Sequence, residues 1–402
     1  MTPFRRALST GLVAALLLVG SLAPAAGAED TPATDPPGAE SGSVRIVAAA
    51  DRRAEAAARV SAMTTRQRAA SVVMGHVPTA DAATLAEYMA RTGIGGFILM
   101  GANVPATEAQ LRQLTAALTL DASLPPVIAI DQEGGDVSRL PWDAFPSSVT
   151  LKDRPADEAR DAFAARGALL QRAGIGVNFG IVADVTADPG MFIHRRALGT
   201  TATASAERVE AAVDGEAESA LSTLKHFPGH GSAPGDSHLG IPSSSATKEQ
   251  WSTLDAVPFR AGIDAGAQFL MFGHLSFPAV DAAPATLSAE WHRIARDELG
   301  FAGVMITDDL GMLQASGLAA YQDPVANAVA SLAAGNDMVL AIMFSTPESA
   351  PRIVDGIVAA VEAGTLPEAR LEEAAVHVTA ARLSLAAQGR GLIPCGDCAP
   401  VD

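Results

Sequence analysis

Short apolar runs rich in β-branched and aromatic residues alternate with longer alanine-rich stretches of helical spacing along most of the chain. The runs are Ser71 to Met74, Gly96 to Met100, Val127 to Asp131, Val177 to Ile181, Thr223 to Phe227, Phe269 to His274, Val304 to Thr307 and Met338 to Ile342. Each is short, dense in apolar residues and flanked by turn formers, as a strand buried on both faces should be. Between them, Glu108 to Thr119 opens on an acid, repeats Leu111, Leu114 and Leu118 at helical spacing, and contains no proline. Asp157 to Ala173, Ala206 to Ala220, Pro258 to Ala265, Ala289 to Leu299, Pro324 to Ala334 and Pro347 to Ala363 read the same way. Strands that alternate with helices imply a parallel α/β sheet, and eight such units predict a single TIM (β/α)₈ barrel. The rival, an open doubly wound sheet, normally carries a glycine-rich phosphate loop after its first strand, and this sequence has none there.

The two ends read differently. Residues 1–28 combine a basic pair, Arg5-Arg6, with the apolar stretch Gly11 to Gly20 and the small-residue site Ala26-Gly27-Ala28, which predicts a signal peptide and a secreted, extracellular protein. The pattern leaves the export route open, and with no cysteine near the cleavage site no lipid anchor is expected there. Residues 29–43 are rich in Pro, Gly, Ser, Thr and acids and read as a flexible linker. The folded domain is expected over residues 44–389, with 390–402 as a tail. The chain's two cysteines, Cys395 and Cys398, fall in that tail and suit a small disulfide staple in an exported protein.

Charge narrows the partners. With 45 Asp and Glu against 28 Lys and Arg, the formal net charge is −17, which opposes binding of a phosphate backbone. No nucleic-acid partner and no stable membrane anchor are expected.

The chemistry-bearing residues fall at the C-terminal ends of the predicted strands. Asp131, Asp184, Lys225, His226, His274 and Asp308 all do so, and a barrel gathers those ends on one face. The segment Lys225 to Pro242 (KHFPGHGSAPGDSHLGIP) crowds three histidines, a lysine and an aspartate into one loop. His226 and His230 have the i, i+4 spacing of a zinc pair, but Pro228-Gly229 prevents the helix that would aim both at one metal, so no metal or other cofactor is expected. Asp236-Ser237-His238 suits acid/base work, because a carboxylate beside an imidazole fixes its tautomer and supports its charged form. In Thr307-Asp308-Asp309-Leu310, adjacent side chains on a strand point opposite ways, so one aspartate faces the mouth as a candidate nucleophile. Asp309 reads more readily as the cap of the following helix. In Ile130-Asp131-Gln132-Glu133-Gly134-Gly135, Asp131 is placed to bind sugar hydroxyls, with Arg139 and Arg196 as further donors.

Taken in order, IDQEGG, KHFPGHG with DSH a short loop later, PATLS (Pro284 to Ser288) and TDDLGM resemble glycoside hydrolase family 3, especially its NagZ-type β-N-acetylglucosaminidases. The similarity runs from about Ala49 to Leu385. It implies a TIM barrel with Asp308 as nucleophile, His238 as acid/base and Asp236 as its partner. It further implies substrate-binding roles for Asp131, Arg139, Arg196, Lys225 and His226. Most members outside this branch take a carboxylate acid/base from a second domain; none is expected after Gly389. The implied substrate is a carbohydrate, N-acetylglucosamine-containing oligosaccharides or muropeptides. The chain departs from the family at Asp136, where arginine is common, and at Ser232, where aspartate is common, and Arg195 competes with Arg196 for one role. A phosphorylase, a related glucosidase or xylosidase, and a non-catalytic sugar-binding protein are the alternative readings.

Overall fold

The computed structural model describes residues 39–389. Eight strands form a closed barrel: β1 (Val73–Gly75), β2 (Gly96–Leu99), β3 (Val127–Ile130), β4 (Val177–Val182), β5 (Leu221–Phe227), β6 (Phe269–Phe272), β7 (Val304–Asp309) and β8 (Met338–Leu340). Neighbours in sequence are neighbours in space, every pairing around the ring is parallel, and β8 returns to β1 through Val73 opposite Val339. This is the expected single (β/α)₈ barrel. The strands are uninterrupted apolar runs because helices cover their outer face while side chains fill the interior, so neither face meets water.

Local chemistry sets the helix ends. Thr107 caps helix Glu108–Leu118 by accepting from the Gln110 amide, and Leu111, Leu114 and Leu118 all bury their side chains as the spacing predicts. Asp323 caps helix Pro324–Ala334, whose first residue is a proline that needs no amide partner there. Gly389, at φ 66°, closes the last helix, Glu368–Gln388, in the left-handed conformation that glycine adopts without strain.

Several boundaries differ from the sequence reading. Ser71 ends helix Thr65–Ser71 instead of opening a strand: Ala69, Ala70 and Ser71 are buried in its last turn, and β1 begins at Val73. The Ala289 to Leu299 stretch is a short helix, Ala289–Arg293, followed by a π turn over Ile294–Glu298. Helix Ala82–Thr92 was not among the predicted helices, and helix Ala39–Ser61 begins inside the 29–43 stretch read as a linker. The predicted signal peptide, the rest of that linker, and the tail with Cys395 and Cys398 lie outside the described residues.

Packing beneath the site loops is aromatic. Phe227, at the end of β5, lies edge-on to Phe272, Phe259, Trp251 and Trp291, with ring centroids 4.9 to 6.1 Å apart. These buried rings fix the floor from which the Lys225 to Pro242 loop departs.

Candidate active site

A polar network lines the barrel mouth where β3, β4, β5 and β7 end. After β3 the chain turns through a small hairpin, Gln132–Gly134 against Val137–Ser138. Gln132 locks it by accepting from the Arg139 and Leu140 amides at 2.9 and 3.0 Å and donating to Asp143 at 2.6 Å. Gly134, at φ 83°, cannot be replaced cheaply, because a Cβ there would sit 2.3 Å from the buried Arg166 guanidinium.

The hairpin delivers two carboxylates to one ammonium. Lys225, buried on β5, donates to Asp131 at 2.9 Å and lies 2.7 Å from Glu133. Arg196 grips Glu133 with both arms at 2.7 and 2.9 Å, and Arg139 reaches Asp131 at 3.3 Å. Burial alone would raise both carboxyl pKa values. For Asp131, Lys225 and then Arg139 outweigh it, and for Glu133, Arg196 and then Lys225 do so, holding each at about 2. Burial also works against the Lys225 charge, but Asp131 and Glu133 keep its pKa above the usual lysine value.

A second knot joins β4 to the following loop. Asp184 accepts from His226 Nδ1 at 2.7 Å and from the His226 and His230 amides. Arg196 Nη2 lies 3.2 Å from His226 Nε2, which must therefore accept. Burial first and Arg196 second push the His226 pKa well below normal, so the ring is neutral with its proton on Nδ1.

The candidate nucleophile is on β7. Asp308 accepts from the Asp309 amide at 2.8 Å, and among the described residues no other group donates to it. Burial opposes its charge, but the His226 and His274 rings, the Asp309 amide and Lys225 hold its pKa below the usual carboxylate value. At neutral pH both rings are uncharged, so the amide and the ammonium carry that effect. Asp309 points the other way, as the alternation requires. It accepts from the Gly311 amide at 3.0 Å, as a helix cap does, and from the Ile342 and Met343 amides at 2.8 Å each. Strand β7 therefore runs two residues further than the apolar pattern suggested. Burial raises the Asp309 pKa to about 6 against those amides.

His274 supports this strand end from β6. Its Nε2–H donates to the Asp309 carbonyl at 2.8 Å, and its Nδ1 is 2.9 Å from the hydroxyl of Thr286, the threonine of PATLS.

Across the mouth, Asp236 accepts from both the ring and the amide of His238, at 2.7 and 2.9 Å. Burial works against the Asp236 charge, but those two donors keep its pKa below normal. The His238 side chain is 49% exposed, so the loop holds it at the rim. Phe192 flanks the dyad, its ring centroid 5.7 Å from that of His238 and 5.4 Å from that of His230. His230 in turn reaches Ser237, between the dyad residues, at 3.2 Å.

The structure thus brings Asp131, Arg139, Arg196, Lys225, His226 and Asp308 into one mouth and keeps Asp236 and His238 together on the loop above. Arg195 points away and pairs with Asp136 on the surface, 64% and 44% exposed, so the charge introduced by the departure at Asp136 is neutralised there. Ser232 donates to Asp255 at 2.6 Å beneath the loop. Glu133 and Phe192 carried no role in the sequence reading. Glu133 was detectable, since burying Lys225 and Arg196 requires more negative charge than Asp131 alone supplies. Among the described residues no group of three or more His, Cys, Asp or Glu could hold a metal ion, and no helix is long and apolar enough to cross a membrane.

The sequence matches the description "Glycosyl hydrolase family 3 N terminal domain" over residues 64–381. A Nitrosospira multiformis protein called β-hexosaminidase is 34% identical over 278 residues, 65% of this chain and 76% of that protein. A family 3 β-N-acetylglucosaminidase from Paenibacillus sp. superposes with a TM-score of 0.75 at 32% identity, over 85% of this chain and 65% of that one. A β-N-acetylhexosaminidase from Beutenbergia cavernae does so with a TM-score of 0.69 at 29% identity, over 81% of this chain and 99% of that one.

Proposed function

The chain belongs to glycosyl hydrolase family 3, and from that premise we propose that it is a retaining β-N-acetylhexosaminidase that removes terminal, non-reducing β-linked N-acetylglucosamine. The observation that carries this reading is the pairing of an ionised Asp308 at the barrel mouth with an Asp236–His238 dyad on the loop above it. In the first step an Asp308 oxygen attacks the anomeric carbon as the glycosidic bond breaks, and His238 gives its proton to the departing oxygen. In the second, His238 takes a proton from water, which displaces Asp308 and releases the sugar with its configuration retained. Asp236 fixes the tautomer and balances the imidazolium charge.

The network below holds the sugar. Asp131 offers acceptors to hydroxyl groups, while Lys225, Arg139 and Arg196 offer donors, their charges already paired. His226, neutral and fixed by Asp184 and Arg196, sets that wall. Because the His238 side chain is half-exposed at the rim, the loop closes over the substrate to complete the site.

The leader-like residues 1–28 support export, and an exported N-acetylglucosaminidase would meet cell-wall fragments, so muropeptides are the natural substrate class in this reading. A second reading is phosphorolysis, favoured by one feature: an imidazole acid/base, unlike a carboxylate, does not repel phosphate.

Turnover of an aryl β-N-acetylglucosaminide beside the aryl β-glucoside, in phosphate and in phosphate-free buffer, separates the readings. The expected result is cleavage of the acetamido sugar in both buffers and none by Asp308→Ala. Dependence on phosphate would make the enzyme a phosphorylase, preference for the glucoside would change the sugar, and binding without turnover would leave a sugar-binding protein.

A further inference from the structure

Asp236 and His238 share one loop, so their pairing does not by itself fix where the dyad sits over the mouth. One contact that ties the dyad to the barrel is polar. Ser237, buried between the two residues, lies 3.2 Å from Nε2 of His230, whose amide donates to Asp184 just beyond β4. Another is aromatic: the Phe192 ring stands 5.7 Å from the His238 imidazole, centroid to centroid, with the two planes 68° apart.

Phe192 is placed unlike a core residue. It lies half-buried on the connection between β4 and helix Ala202–Glu216. Among the described residues it neither belongs to nor packs against either of the apolar clusters that form the core. Its ring meets polar groups instead: the imidazoles of His238 and His230, at 5.7 and 5.4 Å, and the Arg196 guanidinium, which lies over it at 5.7 Å.

Those partners belong to both halves of the site. Arg196 is clamped by the buried Glu133 and reaches His226, so its guanidinium is fixed within the network at the mouth. A cation over an aromatic face is attracted to it, which braces the ring from that side. Rings at such separations prefer offset or edge-on arrangements, so Phe192 restrains the direction of the imidazole as well as its distance. An aliphatic side chain could fill the space but would not set that direction.

We propose that Phe192 is a positioning residue for proton transfer: braced by Arg196, it holds the His238 imidazole on the mouth side of the rim, so that Nε2 meets the glycosidic oxygen as the loop closes. The inference rests on the glycosidase reading above. It also joins the two halves of the site, because the side chain that steadies the ring is the one that faces the sugar.

The test uses the difference between leaving groups, since a departing sugar needs the proton from His238 and a dinitrophenolate does not. It compares kcat/KM, which reports the first step, on the β-1,4 disaccharide of N-acetylglucosamine and on the dinitrophenyl β-N-acetylglucosaminide. Phe192→Leu should lower kcat/KM on the disaccharide by about 10- to 100-fold, the range of a catalytic group displaced by about an ångström, and change the dinitrophenyl substrate less than about twofold. Phe192→Tyr keeps the ring and should restore most of the loss. Equal losses on both substrates, no loss on the disaccharide, or a tyrosine variant no better than the leucine one would overturn the inference and leave the glycosidase reading standing. A wild-type enzyme that cleaves neither substrate would overturn both.

Discussion

Asp236 and His238 form a unit that needs nothing from the barrel: one carboxylate oxygen accepts from the ring Nδ1 at 2.7 Å and from the amide of the same histidine at 2.9 Å. The imidazole therefore keeps its orientation as the loop moves, with Nε2 left to exchange the proton. Replacing Asp236 with Asn keeps the shape but removes the charge that stabilises the imidazolium. We expect kcat to fall for sugar leaving groups, and His238→Ala to cost about 10² to 10⁴, the usual worth of a positioned acid/base. Both losses should shrink with a nitrophenyl leaving group, which needs no proton, so the dependence of rate on leaving-group pKa is the measurement.

Neighbouring arginines should behave in opposite ways. Arg195 and Asp136 form an exposed pair screened by solvent, so Arg195→Ala should leave both stability and kcat/KM nearly intact. Arg196 pairs with a buried Glu133, and Arg196→Ala leaves that carboxylate short of a partner. A loss of about 3 to 5 kcal/mol is expected in urea unfolding, with a sharp fall in sugar affinity.

Asp255 sets a pH dependence of stability. Burial raises its pKa to about 7, with Asp184 adding to the effect and the Ser232 hydroxyl opposing it. In the unfolded chain an aspartate titrates near 3.9. The folded state thus keeps a proton that the unfolded state releases, so this group's contribution is fully present below about pH 4 and is lost as pH rises to about 7. Asp255→Asn, neutral throughout, should gain stability relative to the parent between pH 4.5 and 7.5. Unfolding curves at those two pH values check the sign, and a variant that loses ground as pH rises would contradict it.

Thr286 lies beside a ring that supports the Asp309 carbonyl rather than beside the mouth itself. Thr286→Val removes the hydroxyl at nearly constant shape and leaves His274 Nδ1 buried without a partner. We expect about 1 to 3 kcal/mol of destabilisation. Because the displaced element is the strand end that carries Asp308, kcat should fall more than KM rises. Steady-state kinetics on the aryl glycoside would read that split.

Most of the barrel and much of the site could be read from the sequence, for one physical reason: burial on both faces makes each strand an unbroken apolar run, and the polar residue that ends the run marks the mouth. Asp131, Lys225, His226 and Asp308 were legible that way. Relationships across distance were not. Glu133 shows its charge in the sequence but not its burial, and its contacts with Lys225 and Arg196 span the barrel. Choosing Arg196 over Arg195 depends on which way a turn faces. The role of Asp309 as a tie to β8 depends on amides 33 and 34 residues away. Strand β1 was read two residues early because Ser71 and Val72, buried like strand residues, close the preceding helix.

The central claim is that Asp308 forms the bond to the sugar. A 2-deoxy-2-fluoro or 5-fluoro glycosyl substrate that forms the ester quickly and loses it slowly should inactivate the enzyme, and mass spectrometry of the digested protein should place one sugar on the peptide that contains Asp308. Asp308→Ala should take up none. Inactivation with the sugar on another residue, or continued turnover by Asp308→Ala, would contradict the account.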